Sequence, residues 1–201
     1  MHSIKRLLVF SLWLLISACM TTPPPRDLNN VCRIFKQYPA WHKHARTVEQ
    51  HFGIPVAIQM AIIHQESHFD SEAQPPRKKL WMLIPWKRPS TAYGYSQALD
   101  GTWDLYKQAQ GHFWASRSRF SDAVRFIGWY SAVAHQRAGI AKTNAYNLYL
   151  AYHEGVMGFQ RKTYLKKPWL MRVAHKVQAR ANLYQMQLRR CRVARRYTAP
   201  S

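Results

Sequence analysis

One stretch limits the fold more than any other: the run from Ile58 to Phe69, Ile-Gln-Met-Ala-Ile-Ile-His-Gln-Glu-Ser-His-Phe. Gly53 and Ile54 mark its entry, and Pro55 suits a first helical turn, where a missing N–H costs nothing. Residues 56–63 are apolar on nearly every side apart from Gln59. A helix that is apolar all round needs other elements packed on every face, so it belongs at the centre of a domain. Its last turn then turns polar, with His64, Gln65, Glu66, Ser67 and His68 in succession. At about 100° per residue Glu66 falls beside the stripe of Ile58, Ile62 and Phe69, which predicts a partly desolvated carboxyl. Desolvation and the negative end of the helix dipole both raise a carboxyl pKa and keep the proton on at neutral pH. That is the state a general acid requires. The plain alternative is a solvated carboxylate on an ordinary last turn. Against it stand the apolar run that precedes Glu66 and the scarcity of acids, nine in 201 residues.

The same scarcity shapes the charge, which is +21 for the whole chain. Such an excess calls for an anionic partner: nucleic acid, an acidic membrane face or an acidic polymer. Residues 1–18 argue against nucleic acid. Lys5 and Arg6 form a short positive region, residues 7–16 an apolar core, and Ser17-Ala18 a small-residue cleavage site, the pattern of an export signal. Without Lys5 and Arg6 the chain retains 28 cationic and 9 acidic side chains, a net +19. Ile16-Ser17-Ala18-Cys19 has the form of a bacterial lipobox, which makes Cys19 the expected lipidated residue. Met20 after it, rather than Asp, fits sorting to the periplasmic face of an outer membrane. An ordinary secretory signal with an incidental Cys is the alternative. Thr21-Thr22-Pro23-Pro24-Pro25-Arg26 reads as an extended tether. Cys32 and Cys191 remain near the two ends of the folded region, either bridged in an oxidising compartment or as two buried thiols.

Helical patterns follow over 40–51 and after Asp100, which reads as an N-cap with Trp103, Leu105 and Tyr106 on the helix it opens. Ser121 is the expected cap of a helix over 122–138, ended by Gly139, with Val124, Phe126, Ile127, Trp129 and Tyr130 as core candidates. Thr143 is the expected cap of 145–154, closed by Gly155, and Tyr149 and Tyr152 share one of its faces. Pro168 opens a last helix to about Leu188 with a basic outer face. Between these, residues 75–89 carry four prolines, five cations, Trp81 and Trp86, and predict a loop. Its tryptophans either stack on sugars or a bilayer interface or fold back onto the domain. The predicted architecture is mainly α. It comprises a signal peptide over 1–18, a lipidated Cys and tether over 19–30, one helical domain over 31–192 and a basic tail over 193–201.

Three segments carry a resemblance. Gln65-Glu66-Ser67 with Phe69, then Tyr93-Gly94-Tyr95-Ser96-Gln97, then Leu150-Ala151-Tyr152-His153-Glu154-Gly155 resemble, in order and spacing, the signatures of soluble lytic transglycosylase domains. The resemblance covers roughly residues 40–190 and implies a lysozyme-like fold acting on peptidoglycan glycan strands. It implies Glu66 as the acid and Ser67, Tyr93, Gly94, Tyr95, Gln97, Tyr152 and His153 around the substrate. The glycine suits close backbone approach to a ligand, and Gln97 offers both donor and acceptor. Tyr95 and Ser96 depart from the Gly-Leu-Met-Gln usual in the family, and His153 replaces its Asn. Glu154 reads as a structural partner for a cation or, more sharply, as an auxiliary catalytic group.

Glycoside cleavage ordinarily uses two carboxylates, whereas a substrate-assisted route needs no protein nucleophile. The resemblance implies the latter: Glu66 protonates the oxygen between N-acetylmuramic acid and N-acetylglucosamine, then takes the proton of the C6 hydroxyl as it closes onto C1. No metal or cofactor is expected. His64 and His68 lack the intervening Glu placement of a zinc protease and are expected at the cleft rim or in support of the fold. The other readings are a lysozyme-type hydrolase, with Glu154, Asp100 or Asp104 as second carboxylate, and a non-catalytic wall-binding lipoprotein. The 77–88 loop and the last helix are the expected contacts to anionic wall or membrane.

Overall fold

The computed structural model describes residues 22–76, 79–80, 84–85 and 90–191. The signal peptide, Cys19 and Met20, the 193–201 tail, and Trp81 and Trp86 of the 77–88 loop lie outside the described residues. The architecture is mainly helical: α1 Val31–Gln37, α2 Pro39–Phe52, α3 Val56–Ser67, α4 Asp100–Gln110, α5 Phe120–Ala138, α6 Ala145–Glu154, α7 Val156–Gln160, a 3-10 turn Thr163–Lys166, and α8 Pro168–Arg190. Between α3 and α4 the two-residue strands β1 Lys79–Leu80 and β2 Ile84–Pro85 pair antiparallel.

The apolar run forms the middle of the molecule. α3 is enclosed by α8, on which it packs most extensively, and by α2 and α5. Met60, Ile62 and Ile63 are wholly buried. Side chains of this size each contribute about 1.5–3 kcal/mol when removed from water. The single polar residue of the run, Gln59, is also buried, and its amide nitrogen donates to the Ala45 and Ile54 carbonyls at 3.1 and 2.7 Å. It therefore stitches α3 to the middle of α2 and to the turn that follows that helix. α3 ends at Ser67, with His68 in the left-handed region at φ 52°, so Phe69 leaves the helix and buries in a cluster with Trp41. Trp41 in turn stacks on Phe120 with ring centres 4.1 Å apart, tying α2 to α5. Gly128 permits that approach, since a Cβ there would overlap Val48 and Phe52.

Helix ends follow the sequence signals with local shifts. Gly139 closes α5 in the left-handed conformation, and Pro168 opens α8. At three starts the capping residue differs from the expected one. The cap of α6 is Asn144, whose Oδ1 accepts from the Asn147 N–H at 2.9 Å, not Thr143. Ser121 lies inside α5, and Asp100 is the first residue of α4, its carboxylate drawn away from capping by Arg117 at 2.7 Å. The segment 22–30, expected as a tether, touches the domain. Pro25 is buried, and the Tyr38 hydroxyl donates to the Pro23 carbonyl at 2.7 Å. Cys32 and Cys191 form a disulfide with Cα atoms 6.0 Å apart at a sequence separation of 159. Closing so long a loop in the unfolded chain favours the fold by about 2–5 kcal/mol.

Candidate active site

Glu66 leaves the last turn of α3 on the side facing α6 and opens onto a cleft of about 560 Å³, walled by the 90–99 segment, α5 and the end of α6. Burial pushes its carboxyl from an ordinary 4.5 up to about 7, and a hydrogen bond from the Tyr149 hydroxyl partly offsets this. Tyr149 is itself buried, and both its burial and the neighbouring carboxylate raise its own pKa, so it stays a donor. At neutral pH Glu66 thus holds a proton for a substantial fraction of the time, which a solvated carboxylate does not.

Tyr152 stands beside it on the cleft wall. Its hydroxyl donates to the Ser96 carbonyl at 2.5 Å, and its ring meets those of Phe126 and Tyr130 edge-on. That bond ties α6 to the 90–99 segment across the cleft. Arg117 braces the same segment from behind. Its guanidinium donates to the Thr91 and Ala98 carbonyls at 2.9 and 2.8 Å, pairs with Asp100 and covers the Tyr93 ring at 5.5 Å.

The residues expected around the substrate divide accordingly. Glu66, Gln97, Tyr152 and His153 line the cleft together. Gln97, however, commits both N–H donors to the Ala73 and Gly94 carbonyls at 2.7 and 2.9 Å, so only its carbonyl oxygen is left to meet a ligand. Ser67 turns back into its helix, donating to the Ile63 carbonyl at 3.2 Å, and is buried. Tyr95 is 1% exposed and packs edge-on against Trp41 and Phe120, so it belongs to the core instead of the cleft. Gly94 does serve a close approach at φ 70°, but to the Arg117 and Ser118 backbone in place of a ligand. Tyr93 lies on the outer side of the segment with Arg117, in a neighbouring depression. His64 and His68 face α8 and line a groove that shares no residue with the Glu66 cleft.

Glu154 also lines the cleft, yet its side chain is only 3% exposed. Burial would raise its pKa, but hydrogen bonds from Lys167 at 2.7 Å, Thr163 at 2.5 Å and His153 at 3.2 Å outweigh this and hold it at about 2. It is a fixed anion anchoring the 163–167 turn to α6. Among the described residues no three His, Cys, Asp or Glu side chains gather as metal ligands would. Sequence reasoning passed over Tyr149 and Arg117. The three-residue spacing from Tyr152 placed Tyr149 on the right face, whereas nothing local marked Arg117.

Neither a search of curated proteins nor a search of solved structures finds a match. Residues 7–191 match the family described as the transglycosylase SLT domain, a span that takes in the helix bearing Glu66, the 90–99 segment and α6. The chain belongs to the transglycosylase SLT domain family, glycan-cleaving enzymes of the peptidoglycan cell wall.

Proposed function

We propose that the protein is a lytic transglycosylase that cleaves the β-1,4 bond between N-acetylmuramic acid and N-acetylglucosamine without consuming water. The observation that carries this reading is the inequality of the two cleft carboxylates: Glu66 is poised to hold a proton near neutral pH, and Glu154 is locked as an anion by three donors. A double-displacement or inverting hydrolase needs a second carboxylate free to act on the sugar or on water. Glu154 is occupied by Lys167 and Thr163, and Asp100 is paired with Arg117. A substrate-assisted route needs Glu66 alone.

In that route the Glu66 proton passes to the glycosidic oxygen as the C1–O bond breaks. The resulting carboxylate then accepts the proton of the muramic acid C6 hydroxyl while its oxygen bonds to C1. Atoms balance with no water added, and the products are a 1,6-anhydro end and a free 4-hydroxyl. Tyr149 steadies the carboxylate form by hydrogen bonding. Tyr152, held by Ser96, forms the wall against which a sugar rests, and the Gln97 carbonyl oxygen is placed to accept from an acetamido N–H. Export and lipidation at Cys19, with residence at the periplasmic face of an outer membrane, complete the reading and bring the domain to its polymer.

The test is to incubate the full chain with purified peptidoglycan and weigh the soluble fragments by mass spectrometry. Anhydromuramyl fragments are expected, and they should disappear with Glu66→Gln. Fragments heavier by one water would make the enzyme a hydrolase instead.

A further inference from the structure

The side of α3 turned away from the cleft carries a second concave surface. His64, Gln65 and His68 meet Lys176 and Arg180 of α8 and Asn29 of the N-terminal segment around a groove of about 660 Å³. No Asp or Glu is among its lining residues, and Asp27, in the same N-terminal segment, is bound to Arg33 at 3.2 Å. Arg180 is held by neutral groups: it donates to the Asn29 side-chain oxygen at 2.5 Å and lies over the Tyr184 ring at 5.7 Å. Among the described residues Arg180 forms no ion pair with a carboxylate. Burial, Arg180 and His68 together push His64 down to about 4, so His64 is neutral at pH 7 and can accept or donate a hydrogen bond. The floor is apolar and shallow, made by Ala61, Ala179 and Leu183.

We propose that this groove is a second binding site that takes the free carboxylate end of a short peptide with small side chains, the chemistry of a peptidoglycan stem ending in alanine. The guanidinium fork of Arg180 suits a planar carboxylate, Lys176 adds charge, and Asn29, Gln65 and His64 supply hydrogen bonds to the peptide. The alanine-sized floor favours methyl side chains over bulky ones. Because the groove opens opposite the Glu66 cleft on the same helix, a stem bound there belongs to a strand other than the one being cut. The site would hold the enzyme to a neighbouring strand during cleavage. This inference rests on peptidoglycan as the polymer but not on the reaction at Glu66.

The test uses the full chain with histidines labelled for NMR, titrated at pH 7 with N-acetyl-D-alanyl-D-alanine, with its C-terminal amide, and with inorganic phosphate. His64 and His68 signals, assigned with His68→Gln, are expected to move with the acid and to move at least tenfold less with the amide. Arg180→Gln should weaken the acid's effect about tenfold or more, as loss of a charge-assisted bond does. Lys176, which is exposed, provides a variant that cannot disturb packing, and Lys176→Gln should weaken binding several-fold. Glu66→Gln should bind as the unaltered chain does, so a missing cleavage reaction would leave this result standing. Equal shifts with acid and amide, or shifts that persist in both variants, would overturn the proposal. A larger response to phosphate at equal concentration would also overturn it and reassign the groove to a phosphate-bearing ligand.

Discussion

Glu66 and Glu154 line the same cleft, and the protein drives them in opposite directions. Glu66 sits in the last turn of the apolar central helix, has one tyrosine hydroxyl as partner and is raised to about 7. Glu154 ends a helix beside Lys167, Thr163 and His153 and is lowered to about 2. Both are withdrawn from water, and withdrawal alone raises a carboxyl pKa. The difference lies in the donors: burial without compensation makes an acid, and burial with three donors makes an anchor. A carboxylate's role is therefore read from its partners and not from its presence at a cleft.

The largest expected effect separates the two in turnover. Glu66→Gln should lower the rate of peptidoglycan cleavage roughly 10³-fold, within the range of general acid catalysis, whereas Glu154→Gln should stay within about tenfold. Glycan release measured for both, with circular dichroism to verify folding, decides this. A folded Glu154→Gln protein with no turnover would reverse the roles.

Stability against pH gives the next contrast, with opposite signs. The folded pKa of Glu66 lies above its unfolded value, so its ionisation costs nothing below about pH 4.5. The cost grows as pH rises towards 7 and levels at about 3 kcal/mol. Glu66→Gln should accordingly gain about 2–3 kcal/mol relative to the unaltered protein between pH 4 and pH 8. Urea unfolding at the two pH values measures it, and parallel stability curves would contradict the raised pKa.

For Glu154 the folded pKa is depressed, so its contribution is present above about pH 4.5 and is lost as pH falls towards 2. Lys167 is 42% exposed, which weakens the pair, and Glu154→Gln should cost about 1–2 kcal/mol at pH 7. The deficit should vanish near pH 2, and a loss that persists there would point to packing instead of charge.

The smallest effect concerns Tyr149. Its hydroxyl lowers the pKa of Glu66, so Tyr149→Phe should raise it and move the alkaline limb of kcat/KM, which falls through about pH 7, upward by about half a unit to one unit. An unmoved limb would remove Tyr149 from the site.

How far the site was legible depends on how local each cause is. The apolar run of α3 and the polar turn that ends it are periodic features, and they placed Glu66 in a desolvated position without knowledge of any partner. Gly139 and Pro168 act within one turn of helix, and they marked their ends correctly. The cap of α6 slipped by one residue because Thr143 and Asn144 are both capable, and only the path of the preceding turn chooses Asn144. In the 93–97 segment, the resemblance implied four ligand contacts, Tyr93, Gly94, Tyr95 and Gln97. Arg117, about twenty residues on, draws Tyr93 outward, while Trp41 and Phe120 take Tyr95 into the core. The Ala73 and Gly94 carbonyls consume the Gln97 donors. For His64 and His68 the sequence left the cleft rim and support of the fold both open, because the identity of the helix packed against that face, α8, is not a local property.

By itself, then, the sequence determined the helical class, the central helix and the carboxyl that emerges from it, because helix periodicity and desolvation follow from neighbours within a few residues. The tertiary structure alone decided which donors, Lys167, Thr163 and His153, pin Glu154 as an anion. It also decided which tyrosine donates to Glu66 and which histidines face a second groove. Each of those outcomes turns on hydrogen bonds and burial between segments far apart in the chain, whose geometry exists only once α3, α6 and α8 have packed.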